Sequence, residues 1–314
     1  MRACVRVVLA VAALALAVPS SAPALVVGIA DQKPDMFRDA RFGQLGVKHA
    51  RLNVSWDALN HDWEVAELDT WLYAARAQGV QPLISFGHSR LFRRELPTPE
   101  RFKYEFRRFR ARYPWITNFA TWNEANHCGE PTCHRERLVA AYYRKLRQEC
   151  PRCTILAAEL LDMPNMLTWV NRFRRYAKVE PRYWGLHNYV EANRFHTTSL
   201  KKLLRRVRGQ IWLTEVGGLV ARRRKRPETV KRIPESKWHA LRVTRFVLNE
   251  VAPMSRRITR VYLYHWNAMT AKDSWDSAFI DYHGRRRPAF AELQRTMRRL
   301  EERERRRSLR SRTA

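Results

Sequence analysis

Three consecutive runs set the architecture: QPLISF (Gln81–Phe86), PERFKYEFRRFRAR (Pro99–Arg112) and NFATW (Asn118–Trp122). The outer two are short, apolar and rich in β-branched and aromatic residues, as buried strands are. The middle run is amphipathic, and Pro99 stands in its first turn, where a missing N–H costs nothing. Two parallel strands need such a helical crossover. The same alternation runs through the chain. Further β-rich runs are Leu25 to Ala30, Val47 to Val54, Thr154 to Ala158, Tyr183 to His187, Ile211 to Thr214 and Arg260 to Tyr264. Amphipathic runs at Glu67 to Gln78, Glu136 to Glu149, Asn165 to Lys178 and Glu235 to Glu250 lie between them. Gly46 and Gly79 each sit where a helix would end before a strand, and Pro288 where one would begin.

Eight β–α units predict an α/β fold built as a single (β/α)8 barrel. An open doubly wound sheet would want a glycine-rich phosphate loop after an early strand, and none is present. The division expected is an export leader over 1–24, the barrel over 25–300, and a basic tail over 301–314, disordered or a frayed helix end. Arg2 and Arg6 precede an apolar run, Val7 to Val18, and a small-residue cleavage site follows at Ala22-Pro23-Ala24. The run is short for a membrane span. Secretion is therefore the expected localisation, with an uncleaved anchor as the alternative.

The chain carries 60 Lys and Arg against 30 Asp and Glu, a net charge of +30. An anionic partner, such as an acidic polysaccharide or a wall polymer, would be attracted to it. Of the 60 cations 49 are arginine, spread along the whole chain, which favours a compositional origin instead. RRRKR, from Arg222 to Arg226, follows strand seven and reads as a solvated loop or as a contact to an anionic substrate. Nucleic acid is a poor match for an exported chain. Four cysteines follow the leader. Neighbour pairing, Cys128 with Cys133 and Cys150 with Cys153, fits an oxidising compartment, and a four-cysteine zinc site is the alternative. His127 and His134 beside the first pair suggest a metal only if that loop is not simply stapled.

A barrel places its chemistry at the C-terminal ends of its strands. There the sequence puts Arg51 (strand two), His88 (three), Asn123-Glu124 (four), His187-Asn188-Tyr189 (six), Glu215 (seven) and His265-Trp266-Asn267 (eight). Asp31 and Gln32 end strand one, and Trp56, Glu191, Asn193 and Arg194 are candidates for outer subsites. An apolar core has no use for this set. A sugar site does: two carboxylates for the bond, amides and guanidinium for hydroxyls, and aromatic faces for the ring.

In these residues the chain resembles the clan A glycoside hydrolases, the barrel superfamily that includes families 5 and 39. Members carry Asn-Glu at the end of strand four and a second Glu at the end of strand seven, matched here by Asn123-Glu124 and Glu215. Arg51, His187, Tyr189 and Trp266 stand where the group has its strand-two Arg, its His/Tyr region and its strand-eight Trp. The chain also resembles secreted actinobacterial glycosidase-like proteins with WNE-N, C-x-x-C, GLHNY, TE-GG and YLYHWN segments. Ala125 departs from the Pro that many relatives have after the first Glu. The resemblance implies retaining hydrolysis of a poly- or oligosaccharide, with Glu124 as acid/base, its pKa raised, and Glu215 as ionised nucleophile. Asn123 would hold a hydroxyl, Trp266 would floor the sugar, and no metal or organic cofactor is called for. The competing readings are a non-catalytic carbohydrate- or wall-binding barrel, transglycosylation through the same residues, and a basic scaffolding protein.

Overall fold

In the computed structural model of this chain, residues 24–223 and 233–312 are described. The expected leader, apart from Ala24, and Arg224 to Arg226 of the basic run lie outside the described residues. Among the described residues eight parallel strands close into a barrel. They are Val26–Ala30, His49–Ser55, Gln81–Gly87, Asn118–Ala120, a fifth in two pieces (Thr154–Leu156 and Glu159–Leu161), Tyr183–His187, Gln210–Val216 and Ile258–Tyr264. The eighth pairs with the first, from Arg260 opposite Val26 to Tyr264 opposite Ala30.

The fifth strand is where the sequence reading was least complete. Thr154–Leu156 pairs with the fourth strand and Glu159–Leu161 with the sixth. Ala157 and Ala158 make the transfer between them: Ala157 N–H donates to Tyr183 O and Gly185 N–H to Ala158 O, each at 2.9 Å. Gly185 is required there, because a Cβ at that position would lie 2.6 Å from Glu159 Cγ. The elbow turns Glu159 into the barrel, where it meets Arg51.

The helices Pro99–Arg112 and Glu136–Glu149 have the limits expected from sequence. Thr98 caps the first by accepting from Arg101 N–H at 3.2 Å. That helix packs Phe102 and Phe106 edge-on against Phe86 and Phe119, with ring centroids 5.6 Å and 4.9 Å apart. Each such ring buried contributes roughly 1.5–3 kcal/mol. Leu83, Ala120, Leu156, Trp212 and Tyr262 fill the barrel itself. Other limits move. The helix expected from Glu67 starts at Asp62, and the one expected from Glu235 to Glu250 starts at Lys237, behind a Ser236 cap, and ends in a π-turn, Val247–Val251.

The tail, expected to be disordered or a frayed helix end, continues the helix Pro288–Arg312 without a break, so residues 301–312 are helical. The sequence spacing gives the reason. Glu301 and Glu302 stand four residues before Arg305 and Arg306, a helix-supporting arrangement. The four described cysteines form two separate disulfides, Cys128–Cys133 and Cys150–Cys153, with Cα atoms 4.7 Å and 5.3 Å apart. The four-cysteine zinc alternative is not formed. Among the described residues no helix is long and apolar enough to cross a membrane.

Candidate active site

Arg51, on the second strand, is almost fully enclosed and organises the barrel mouth. Its Nε and Nη2 donate to the two oxygens of Glu159 at 2.8 Å and 2.5 Å. Nη1 donates to Glu215 Oε2 at 2.7 Å, and Nη2 also reaches Asn123 Oδ1 at 2.7 Å. Ser85 adds a hydroxyl to Glu159 Oε2 at 2.5 Å. One guanidinium thus fixes residues from strands four, five and seven, which suits its planar fork of donors.

Glu124 stands just past the fourth strand with a left-handed backbone, φ 45°, which is unusual for a non-glycine residue. Its loop is held by the fifth strand: Ala125 N–H donates to Glu159 O at 2.9 Å, and Asn126 bonds Leu161 through both its amide nitrogen (3.0 Å) and oxygen (2.8 Å). So Asn126 serves the loop. His187 Nδ1 lies 3.1 Å from Glu124 Oε1, and its Nε2 lies 3.4 Å from Glu159 Oε2, an ion-pair separation rather than an aligned hydrogen bond. His127 Nδ1 is 3.6 Å from the other Glu124 oxygen.

Glu215 reaches the same cluster because the seventh strand is irregular. Leu186 is opposite Leu213, but His187 is opposite Glu215, so one residue is bulged out at Thr214. Glu215 then receives Arg51 on one oxygen and the Tyr189 hydroxyl, at 3.2 Å, on the other. Behind Tyr189 lies Trp275, edge-on at 5.1 Å, on a short strand paired with Ala221–Arg222.

The charges of this site differ from expectation. Burial pushes the Glu124 carboxyl up, but the His187 hydrogen bond and the positive charges of His187, His127 and Arg51 outweigh it. The net shift is downward, not upward. The proton is held on His187 instead. Burial opposes its charge, yet Glu215, Glu124 and Glu159 together raise it to about 9. Tyr189 is pushed far above its ordinary value by burial and by the Glu215 charge, so it stays a neutral donor.

The His187 shift has a measurable consequence. Its folded pKa lies above the ordinary imidazole value, so its contribution to stability is complete below about pH 6.5. It fades as pH rises and is gone past about 9. The stability lost over this range is on the order of 3 kcal/mol. Urea unfolding at pH 6 and at pH 9.5 should show this loss, and a His187→Gln variant should lack it.

Other expected site residues are placed differently. Trp266 is only 1% exposed. It packs edge-on to Phe42 and Phe290 and donates through Nε1 to Asp39 at 3.0 Å, so it belongs to the outer core and does not floor the mouth. Tyr264, which the sequence reading passed over, holds the inward position: it follows Tyr262 on the same face and lies 6.3 Å from the Tyr189 ring. His88 is tied through Nδ1 to Glu130 at 2.8 Å, and Glu130 also accepts from Trp122 at 3.2 Å. Glu191 caps the helix Thr198–Arg206 by accepting from Ser199 and Leu200 N–H, and Asn193 bridges Tyr189 O, Gly217 O and Leu219 N–H. Both are struts rather than subsites. Asp31 accepts from Lys33 and from Trp266 N–H, and Gln32 pairs with the Asn53 backbone. Glu159 was missed altogether, although a lone acid inside the apolar run Ile155 to Leu161 was a readable sign.

No family model matches this chain, and no curated protein matches it by sequence. Solved structures do. A family 39 glycoside hydrolase from Bacteroides cellulosilyticus WH2 superposes with TM-score 0.57 at 12% identity, over 88% of this chain. This chain spans 64% of that protein's length. A fungal β-1,4-galactanase gives 0.62 at 14% identity, over 87% of this chain and 99% of its own. A GH5_18 protein from Streptomyces cattleya, solved with GlcNAc, gives 0.61 at 16%, over 90% and 81%. At such identities the likeness establishes the shared barrel fold.

Proposed function

We propose that this barrel is a glycoside hydrolase that cleaves an O-glycosidic bond of a poly- or oligosaccharide by double displacement. The observation that carries the reading is the treatment of two carboxylates at one barrel mouth. Glu215 is oriented by Arg51 and Tyr189 on separate oxygens, and Glu124 is joined to the same cluster through His187. Glu215 attacks the sugar carbon, and Glu124 protonates the leaving oxygen and then deprotonates water. Because Glu124 rests below its ordinary pKa, its proton comes from His187 when the sugar shuts out water. Asn123 holds a sugar hydroxyl and Tyr264, not Trp266, lies under the ring. The superposed glycosidases and the sequence resemblance support the same class. The leader supports secretion, and the net charge of +30 supports an acidic glycan among the candidates.

The test is hydrolysis of a panel of aryl glycosides and polysaccharides, neutral and acidic, by wild type and Glu124→Ala. Loss of the acid should slow substrates with poor leaving groups by ~10²–10⁴-fold. Formation of the glycosyl-enzyme from a dinitrophenyl glycoside, which needs no proton, should slow by less than about tenfold. Equal slowing of both would remove Glu124 from the acid role. Glycan binding without turnover by wild type would favour the binding-barrel reading.

A further inference from the structure

Outside the mouth, the connection after strand two holds a second group of polar side chains that neither the fold nor the proposed chemistry uses. Asp57, His61 and Glu64 come from the 3₁₀ turn Ala58–Asn60 and its flanks, and from the first turn of the helix Asp62–Ala77. One donor atom from each lies within 4.8 Å of the other two. His61 Nε2 and Asp57 Oδ2 are 3.4 Å apart. Two ligands of a tetrahedral zinc, at bond lengths of about 2.0–2.2 Å, are separated by about 3.4 Å.

A second, independent feature points to a ligand. Asp57 and Glu64 are each only 4% exposed. Yet Asp57 Oδ1 has no hydrogen-bond partner, and Glu64 Oε1 makes no well-formed one, with the Ser55 hydroxyl beside its carboxyl as the polar neighbour. Buried carboxylate oxygens are costly unless paired with a charge or a metal. The nearby guanidinium of Arg90 is engaged elsewhere, donating to Glu67 at 2.5 Å and lying 4.4 Å from the centre of the Trp63 ring. An ion has a way in, since Glu64 lines a cavity of about 650 Å³ together with Lys33, Ser55 and His88.

We propose that Asp57, His61 and Glu64 bind a divalent transition metal of the zinc class. Three protein ligands, two oxygens and one imidazole nitrogen, leave a fourth position toward the cavity. The ion ties the turn after strand two to the start of its helix, and it neutralises two buried carboxylates. This site is independent of the glycosidase reading and does not require it.

The test uses the full chain without a histidine tag, stripped by chelator, desalted and titrated with Zn²⁺ against a competing dye. One equivalent should bind, and saturation about a hundredfold above Kd should raise Tm by ~5 °C or more. His61→Ala and Glu64→Gln should each weaken binding by more than ~100-fold, a larger loss than a merely supporting partner causes. Asp57→Asn, close in shape, guards against misfolding as the cause. His134→Ala, beside the Cys128–Cys133 disulfide, should bind as wild type does. No saturable zinc, an unchanged equivalent in the His61→Ala/Glu64→Gln double variant, or selection of Ca²⁺ over Zn²⁺ would overturn the assignment.

Discussion

Replacing Glu215 with alanine should lower kcat by at least ~10⁴-fold on any glycoside that the wild type turns over. That corresponds to about 5.4 kcal/mol of lost transition-state stabilisation. The size follows from its role. At the barrel mouth Glu215 has a guanidinium aligned on one oxygen and a phenol on the other. Tyr189 cannot take over, because its hydroxyl stays protonated. The protein should remain folded, since Arg51 keeps both oxygens of Glu159 and the amide of Asn123. Circular dichroism should therefore match wild type while steady-state kinetics collapse. Azide added to the variant should yield a glycosyl azide of inverted configuration. A Glu215→Ala protein with wild-type turnover would falsify the nucleophile assignment.

Glu159→Ala should produce the largest loss of stability, ~3–5 kcal/mol in urea unfolding. Arg51 and His187 are both enclosed, and Glu159 is the carboxylate common to both. Truncation leaves a buried guanidinium with less counter-charge and Ser85 without its acceptor. A hydrophobic replacement of the whole group is a different experiment, because cutting one partner leaves the other charged and unpaired. The variant also predicts a pH signature. His187 loses one of the three carboxylates that raise its pKa, so its alkaline loss of stability should begin at lower pH. Unfolding curves at pH 6, 7.5 and 9 would show it. An unchanged midpoint in urea at pH 7 would mean that Glu159 does not carry this cluster.

Much of this protein is legible in one dimension. The period of the apolar residues marks strands and helices, so Tyr183–His187, Pro99–Arg112 and Glu136–Glu149 were found with their correct limits. Turn and cap residues act locally, and nearby cysteines pair where the chain between them is short. The order of strand ends alone brings Arg51, Asn123, Glu124, His187, Tyr189 and Glu215 to one mouth.

What escaped the sequence is whatever depends on small rotations or on contacts between distant strands. A one-residue bulge at Thr214 sets Glu215 opposite His187, and no local pattern announces it. The elbow at Ala157-Ala158 sends Glu159 inward, and its partners come from strands two, three and six. Trp266 and Tyr264 differ by two positions in sequence, yet the turn after strand eight puts one in the outer core and the other at the mouth. Nor could the proton be located in advance. Whether Glu124 or His187 holds it depends on the sum of burial and the charges of Arg51, His127, Glu159 and Glu215 around the pair, and distances fix that sum. Hydrophobic period and chain order are one-dimensional, so the barrel and the chemical types at its mouth can be read along the chain. Which of those groups are charged, which face the cavity and which merely hold the others follows only from the folded arrangement, because electrostatics and packing act across space.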